Sequence, residues 1–210
     1  MINVVLQGVF CYNATTMYYI VGLGNPGKEH KNTRHNIGFT LLEKFVEETK
    51  LSSLYESATH SGSVSEGVLE GQDVTVLLPT TFMNASGSAV AKLVPQNEVE
   101  KLIVVYDDID LPLGEIKISF DRGDGGHNGV KSVIEKLGTT KFTRIRVGIG
   151  QKSMWTGKLK RPKGEALASY VLGHFGAKEE KELVMVQKTV QEALSVFVTK
   201  GKEVAMNRFN

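Results

Sequence analysis

Apolar residues recur along this chain in two rhythms. Three nearly unbroken runs, Tyr18 to Leu23, Val74 to Leu78 and Leu102 to Tyr106, have the length and composition of buried strands, and each is followed at once or within a few residues by polar turn residues. Elsewhere the period lengthens. Ile37, Leu41, Leu42, Phe45 and Val46 form a helical stripe that Thr33 or Asn36 can cap, which places His35 at a helix entrance. Val130, Val133, Ile134 and Leu137 form a second stripe that stops at Gly138, followed by an alternating strand from Arg144 to Ile149. A long closing helix uses Leu183, Val186, Val190, Leu194 and Phe197. Strands alternating with helices predict an α/β layer architecture.

If the first three runs are parallel strands of one sheet, their carboxyl ends share an edge, where ligands of α/β folds bind. That edge would gather Asn25 from GLGNPG, Asn84 from TTFMN, the carboxylates Asp107 and Asp108, and Asn128 from GGHNG. Neutral amides with one or two acids suit a peptide-like or sugar-like substrate better than a bare phosphate.

Composition narrows the picture modestly. A chain of 210 residues, 41% hydrophobic, can bury one full core and is read as one domain. Its net charge of +2 is too mild to announce a nucleic-acid binder, so such a reading needs local clustering. One stretch supplies it: Gln151 to Gly164 holds Lys152, Lys158, Lys160, Arg161 and Lys163 without an acid, although such runs are most often solvated loops. The single cysteine, Cys11, allows neither an internal disulfide nor a cysteine metal cluster and favours a reducing cytoplasm. Residues 1–16 contain an apolar stretch without a preceding Lys or Arg, well short of the roughly 20 residues a membrane span needs. They read as a dispensable or disordered leader before Met17, with a short edge strand as the competing reading, and the chain as soluble and cytoplasmic.

Two phosphate-loop patterns overlap at the first turn. Gly22, Gly24 and Gly27 fit the dinucleotide spacing, but the polar stretch Lys28 to Arg34 separates them from the helix, and no acid follows on a second strand. Gly22, Gly27 and Lys28 nearly spell a nucleoside-triphosphate loop, yet Glu29 stands where a metal-binding hydroxyl belongs and would repel phosphate. Neither reading is adopted. No GxSxG elbow advertises a nucleophile, and no HExxH or cysteine pair advertises a metal. What remains is histidine with carboxylate, a pair able to take a proton from water. Of His30, His35, His60, His127 and His174, His35 alone combines a helix entrance with closeness to the Asn25 turn. Each feature has a plainer explanation: His35 as a packed helix start, Asp107 and Asp108 as caps, Asn128 as an N-cap, Phe82 and Met83 as core.

Taken in order, GLGNPGKEHKNTRHNIGF, LLPTTFMNASGSAVA, VVYDDIDLPLGEIKI, GDGGHNGVKSVIEKLG, FTRIRVGIG, YVLGHF and AMNRFN strongly resemble bacterial peptidyl-tRNA hydrolase. The resemblance runs from about Met17 to Asn210. It implies a monomeric single domain, residues 17–210, with a twisted, mixed, mostly parallel sheet between helices. It also implies an esterase without metal, cofactor or obligate protein partner, which frees tRNA from prematurely released peptidyl-tRNA. Carried over by position, His35 matches the catalytic base and Asp107 the acid that supports it. Asn25 matches the residue that separates N-blocked from free aminoacyl-tRNA, and Asn84 and Asn128 the amides that hold substrate and water. Phe82 matches a tRNA-end contact, while Lys117 and Arg146 would support a mobile basic lid over 151–169, with Trp155 inside it. Two positions depart from the pattern: His30 stands where a tyrosine contacting the tRNA end is common, and Ser119 where some members carry a second basic residue. A non-catalytic RNA-binding protein on the same fold is the alternative.

Overall fold

The computed structural model describes residues 16–153 and 156–210; the expectations for the leader before Thr16 and for Trp155 fall outside them. Twelve main elements follow one another: β1 (Met17–Gly22), α1 (Ile37–Glu48), β2 (Tyr55–Ser57), β3 (Gly62–Leu69), β4 (Gln72–Pro79), α2 (Ser86–Leu93), β5 (Leu102–Pro112), β6 (Ile116–Phe120), α3 (Asn128–Leu137), β7 (Thr143–Gly150), α4 (Glu165–Val171) and α5 (Ala177–Phe209). The strands form one seven-stranded sheet in the order β2-β3-β4-β1-β5-β7-β6. Its four central strands, β4, β1, β5 and β7, are parallel, and the outer pairings are antiparallel. The three apolar runs are therefore neighbours, with β1 in the middle. Their residues are buried on both faces, as parallel strands between helices must be.

Helices cover both sides. α1 and α5 close one face around Leu41, Phe45, Val190, Leu194 and Phe197, and α2 and α3 close the other around Ala89, Val90, Val130 and Val133. At the far edge, the Asn210 side chain accepts from the Ile118 N–H at 2.7 Å and donates to its carbonyl at 2.9 Å, so a side-chain amide continues the pairing of β6.

The glycines of the first turn serve close packing. A Cβ on Gly38 would run into the Val105 carbonyl and come within 2.7 Å of the Leu23 backbone, while one on Gly22 would sit 2.7 Å from the Gly38 carbonyl. The first turn of α1 thus rests directly on the carboxyl ends of β1 and β5. Gly38→Ala is accordingly expected to cost about 1–3 kcal/mol by overpacking and to lower activity by lifting His35 from the strand ends. Urea unfolding and turnover measured on one preparation would check it, and a variant with wild-type stability and rate would contradict this packing.

Several expectations are corrected. Neither Thr33 nor Asn36 caps α1 through its side chain: the Thr33 hydroxyl donates to the His30 carbonyl, and the Asn36 amide bonds elsewhere. β5 runs on to Pro112, so Asp107 and Asp108 are strand residues rather than caps. His127, not Asn128, is the N-cap of α3. The 151–169 segment carries the first residues of α4, and two of its cations are paired, Lys152 with Glu115 and Arg161 with Asp110.

Candidate active site

The strand order reverses at β1, with later strands added on both sides, and the crevice above such a point is where α/β sheets hold ligands. Asp107 lies there, 4% exposed, near the end of the parallel part of β5. Two histidines meet it. Nδ1 of His35, from the 3₁₀ turn Arg34–Asn36, is 2.9 Å from Asp107 Oδ1, and Nε2 of His127 is 3.0 Å from the same oxygen.

The hydrogen-bond pattern fixes the tautomers. The Val130 N–H donates to His127 Nδ1 at 3.2 Å, so the proton of a neutral His127 sits on Nε2 and points at Asp107. His35 likewise donates Nδ1–H to the carboxylate, which leaves its Nε2 lone pair for a water. These three residues also form the one group among the described residues whose donor atoms lie close enough to share an ion, all within 4.8 Å. An ion there would have to displace both imidazole protons and the Val130 contact, so the donor set fits a hydrogen-bonded base better than a metal.

Burial opposes every charge in this cluster, and the partners overcome it. Desolvation alone would raise the Asp107 carboxyl, but the imidazoles of His127 and His35 hold it well below the usual carboxylate range. For His35, burial disfavours the imidazolium, while the charge and hydrogen bond of Asp107 outweigh it and leave the group above 6.5.

Two cavities meet at His35. One, of about 390 Å³, is lined by Asn25, His35, Phe82, Met83, Asn84 and Asn128. The other, of about 500 Å³, shares His35 and Asn128, takes in Asp107 and Asp108, and is walled by Leu167, Val171 and Leu172 of and just after α4. The seam between them runs past the His35 imidazole.

Asn25 is held on three sides. Its backbone N–H and carbonyl are both bonded by the Asn36 side-chain amide, each at 2.8 Å, and its own Oδ1 accepts from the Met83 N–H at 2.9 Å. Because a backbone N–H can only donate, that last bond assigns the oxygen. The bond orients the Asn25 amide, and among the described residues its Nδ2 has no protein partner.

Asn25, His35, Phe82, Asn84 and Asn128 are thus brought to one cavity, with Asp107 behind His35. Phe82 is 61% exposed at its rim. Lys117 and Arg146 are cross-strand partners on β6 and β7, outside both cavities, and Arg146 Nε donates to Asp108 at 2.6 Å. His30 lines neither cavity. Two residues escaped the sequence reading. His127 lies far in sequence from the Asn25 turn that singles out His35, and Asn36 has the sequence position of a helix cap but bonds the Asn25 peptide instead.

Fold and site together define a single α/β domain that presents a carboxylate-bound imidazole to a row of side-chain amides at its sheet edge. Comparison with known proteins gives the same class a narrower form. The family model of peptidyl-tRNA hydrolase matches residues 19–210. The peptidyl-tRNA hydrolase of Syntrophotalea carbinolica is 41% identical over 197 residues, spanning 92% of this chain and 97% of that one. That of Chloroflexus aggregans is 41% identical over 199 residues, 92% and 99% respectively. The crystal structure of peptidyl-tRNA hydrolase from Acinetobacter baumannii superposes with a TM-score of 0.81 at 30% identity, covering 92% of this chain and 94% of that one. The chain belongs to the peptidyl-tRNA hydrolase family.

Proposed function

We propose that this protein hydrolyses the ester joining an N-acylated aminoacyl or peptidyl group to the 3′ ribose of tRNA. The observation that carries the reading is the Asp107–His35 pair at the seam of an amide-lined cleft. His35 Nε2 takes a proton from a water held by Asn128, which lines both cavities beside it. The hydroxide adds to the ester carbonyl, and Asp107 stabilises the imidazolium. Collapse breaks the bond to the ribose oxygen, which receives the proton back from His35. The products are a free carboxylic acid and a tRNA with a free 3′ hydroxyl. Asn84 offers an amide N–H to the oxyanion, a contact typically worth about 3 kcal/mol of barrier.

Discrimination follows from the orientation of the Asn25 amide. Its free Nδ2 can donate to the carbonyl of a blocked amino group, but it opposes a free ammonium, which has only donors. Phe82, at the exposed rim, serves as a stacking contact for the tRNA end, joined by His30. Lys117, Arg146 and the basic 151–164 segment meet phosphates without reading sequence. One chain supplies every group placed at the site, which suits a monomer, and the chemistry of residues 17–210 is independent of the leader. No helix among the described residues is long and apolar enough to cross a membrane, and translation places the enzyme in the cytoplasm.

The test is release of acid from N-acetylaminoacyl-tRNA in EDTA, beside unblocked aminoacyl-tRNA. The blocked substrate is expected to react roughly 10³-fold faster in kcat/KM, since a misplaced donor or charge leaves a polar group unpaired. A chain begun at Met17 should match the full chain. Tight tRNA binding without turnover would make the protein an RNA binder instead.

A further inference from the structure

Beside the base lies a buried charge that the mechanism does not use. Arg34 immediately precedes His35 in the same 3₁₀ turn and is 8% exposed. Its NH2 nitrogen donates to both carboxylate oxygens of Glu179, at 2.9 and 3.2 Å. Its guanidinium carbon lies 4.5 Å from the centre of the Tyr170 ring and 5.3 Å from that of Phe175, and its backbone N–H donates to the Gly173 carbonyl at 2.9 Å. Glu179 in turn accepts from the Gly176 N–H at 2.7 Å and from Gln151 Nε2 at 3.2 Å. One ion pair therefore joins four pieces: the turn that carries His35, the end of α4, the start of α5 and the first residue of the basic 151–164 segment. α4 itself, through Leu167 and Val171, walls the larger cavity.

A plain helix anchor would not require this arrangement. Stability alone is served about as well by packed apolar residues, because a buried ion pair seldom repays its desolvation. What the pair supplies is a stiff, directional connection, since a guanidinium stacked on rings, with one nitrogen shared between both oxygens of a carboxylate, has little freedom left. We propose that Arg34 is a positioning residue, which through Glu179 and Gln151 couples RNA held on the basic segment to the alignment of His35 against Asp107. Binding energy gained far from the ester is thereby spent on orienting the base. The inference rests on the function proposed above.

The test compares two substrates, N-acetylaminoacyl-tRNA and the same acyl group on a CCA trinucleotide too short to reach the basic segment. Wild-type cleavage of the full substrate is measured first, and its failure would remove the proposed function rather than the coupling. Given that cleavage, Arg34→Lys and Glu179→Gln are expected to lower kcat on tRNA by about 10- to 100-fold, the scale of a small misplacement of a reacting group, with KM unchanged. On the trinucleotide, kcat should match the wild type. An equal loss on both substrates would mean a merely structural role and overturn the coupling, as would a loss confined to KM or no loss at all. Should either variant fail to fold, Gln151→Ala, at an exposed position, removes only the link to the basic segment and is judged by the same comparison.

Discussion

His35→Ala is expected to lower kcat/KM for N-acetylaminoacyl-tRNA by about 10³-fold, the middle of the range for a positioned general base. KM should change little, because the amides that line the smaller cavity remain. The pH profile is the sharper measurement. In the wild type kcat/KM rises with pH as His35 loses its proton, and because Asp107 holds that proton more tightly than burial expels it, the rise is centred above pH 6.5. In the variant the limb disappears and the residual rate follows hydroxide. A variant within tenfold of the wild type, or one that keeps the same limb, would show that another group takes the proton.

Asp107→Asn separates charge from orientation, because Asp107 Oδ1 accepts from two histidines at once. The proton on His127 Nε2 is fixed by the Val130 N–H on the other side of its ring, so an asparagine that turned its NH₂ group toward the pair would face a donor with a donor. Its carbonyl oxygen is therefore expected to take the place of Oδ1 and to keep both rings oriented. The loss should be about 10²-fold in kcat, smaller than the 10⁴-fold seen where such a substitution flips the tautomer. With the negative charge gone, burial is expected to outweigh the remaining hydrogen bond and favour the neutral His35 ring, so the ascending limb should move below pH 6.5. A limb that stays put or moves upward would refute this account of Asp107.

The parallel sheet was legible because three apolar runs of strand length each met polar turn chemistry soon after, and parallel neighbours bring those ends to one edge. The contact of His35 with Asp107, across 72 positions, came from the resemblance alone. Local pattern could not show that a third partner, His127, closes on the same oxygen, because its role depends on where α3 begins. Asn36 was misread for a related reason: a helix-start asparagine usually caps its own helix, but here the close approach of Gly38 to Leu23 brings the Asn25 peptide within its reach. The β2–β3 hairpin is rich in Gly, Ser and Glu and has little periodic signal, and α4 is short with no fully buried residue.

α5 is the last helix in chain order, yet it covers α1 and supplies the carboxylate for Arg34, beside the base. Domains form during synthesis only from the parts already made. An enzyme that severs peptide from tRNA is itself a peptide on tRNA for as long as the ribosome is building it. Until α5 is out, α1 alone covers their face of the sheet, and Arg34, next to His35, lacks its carboxylate. The order of the elements leaves the support of the His35 turn to the end of synthesis.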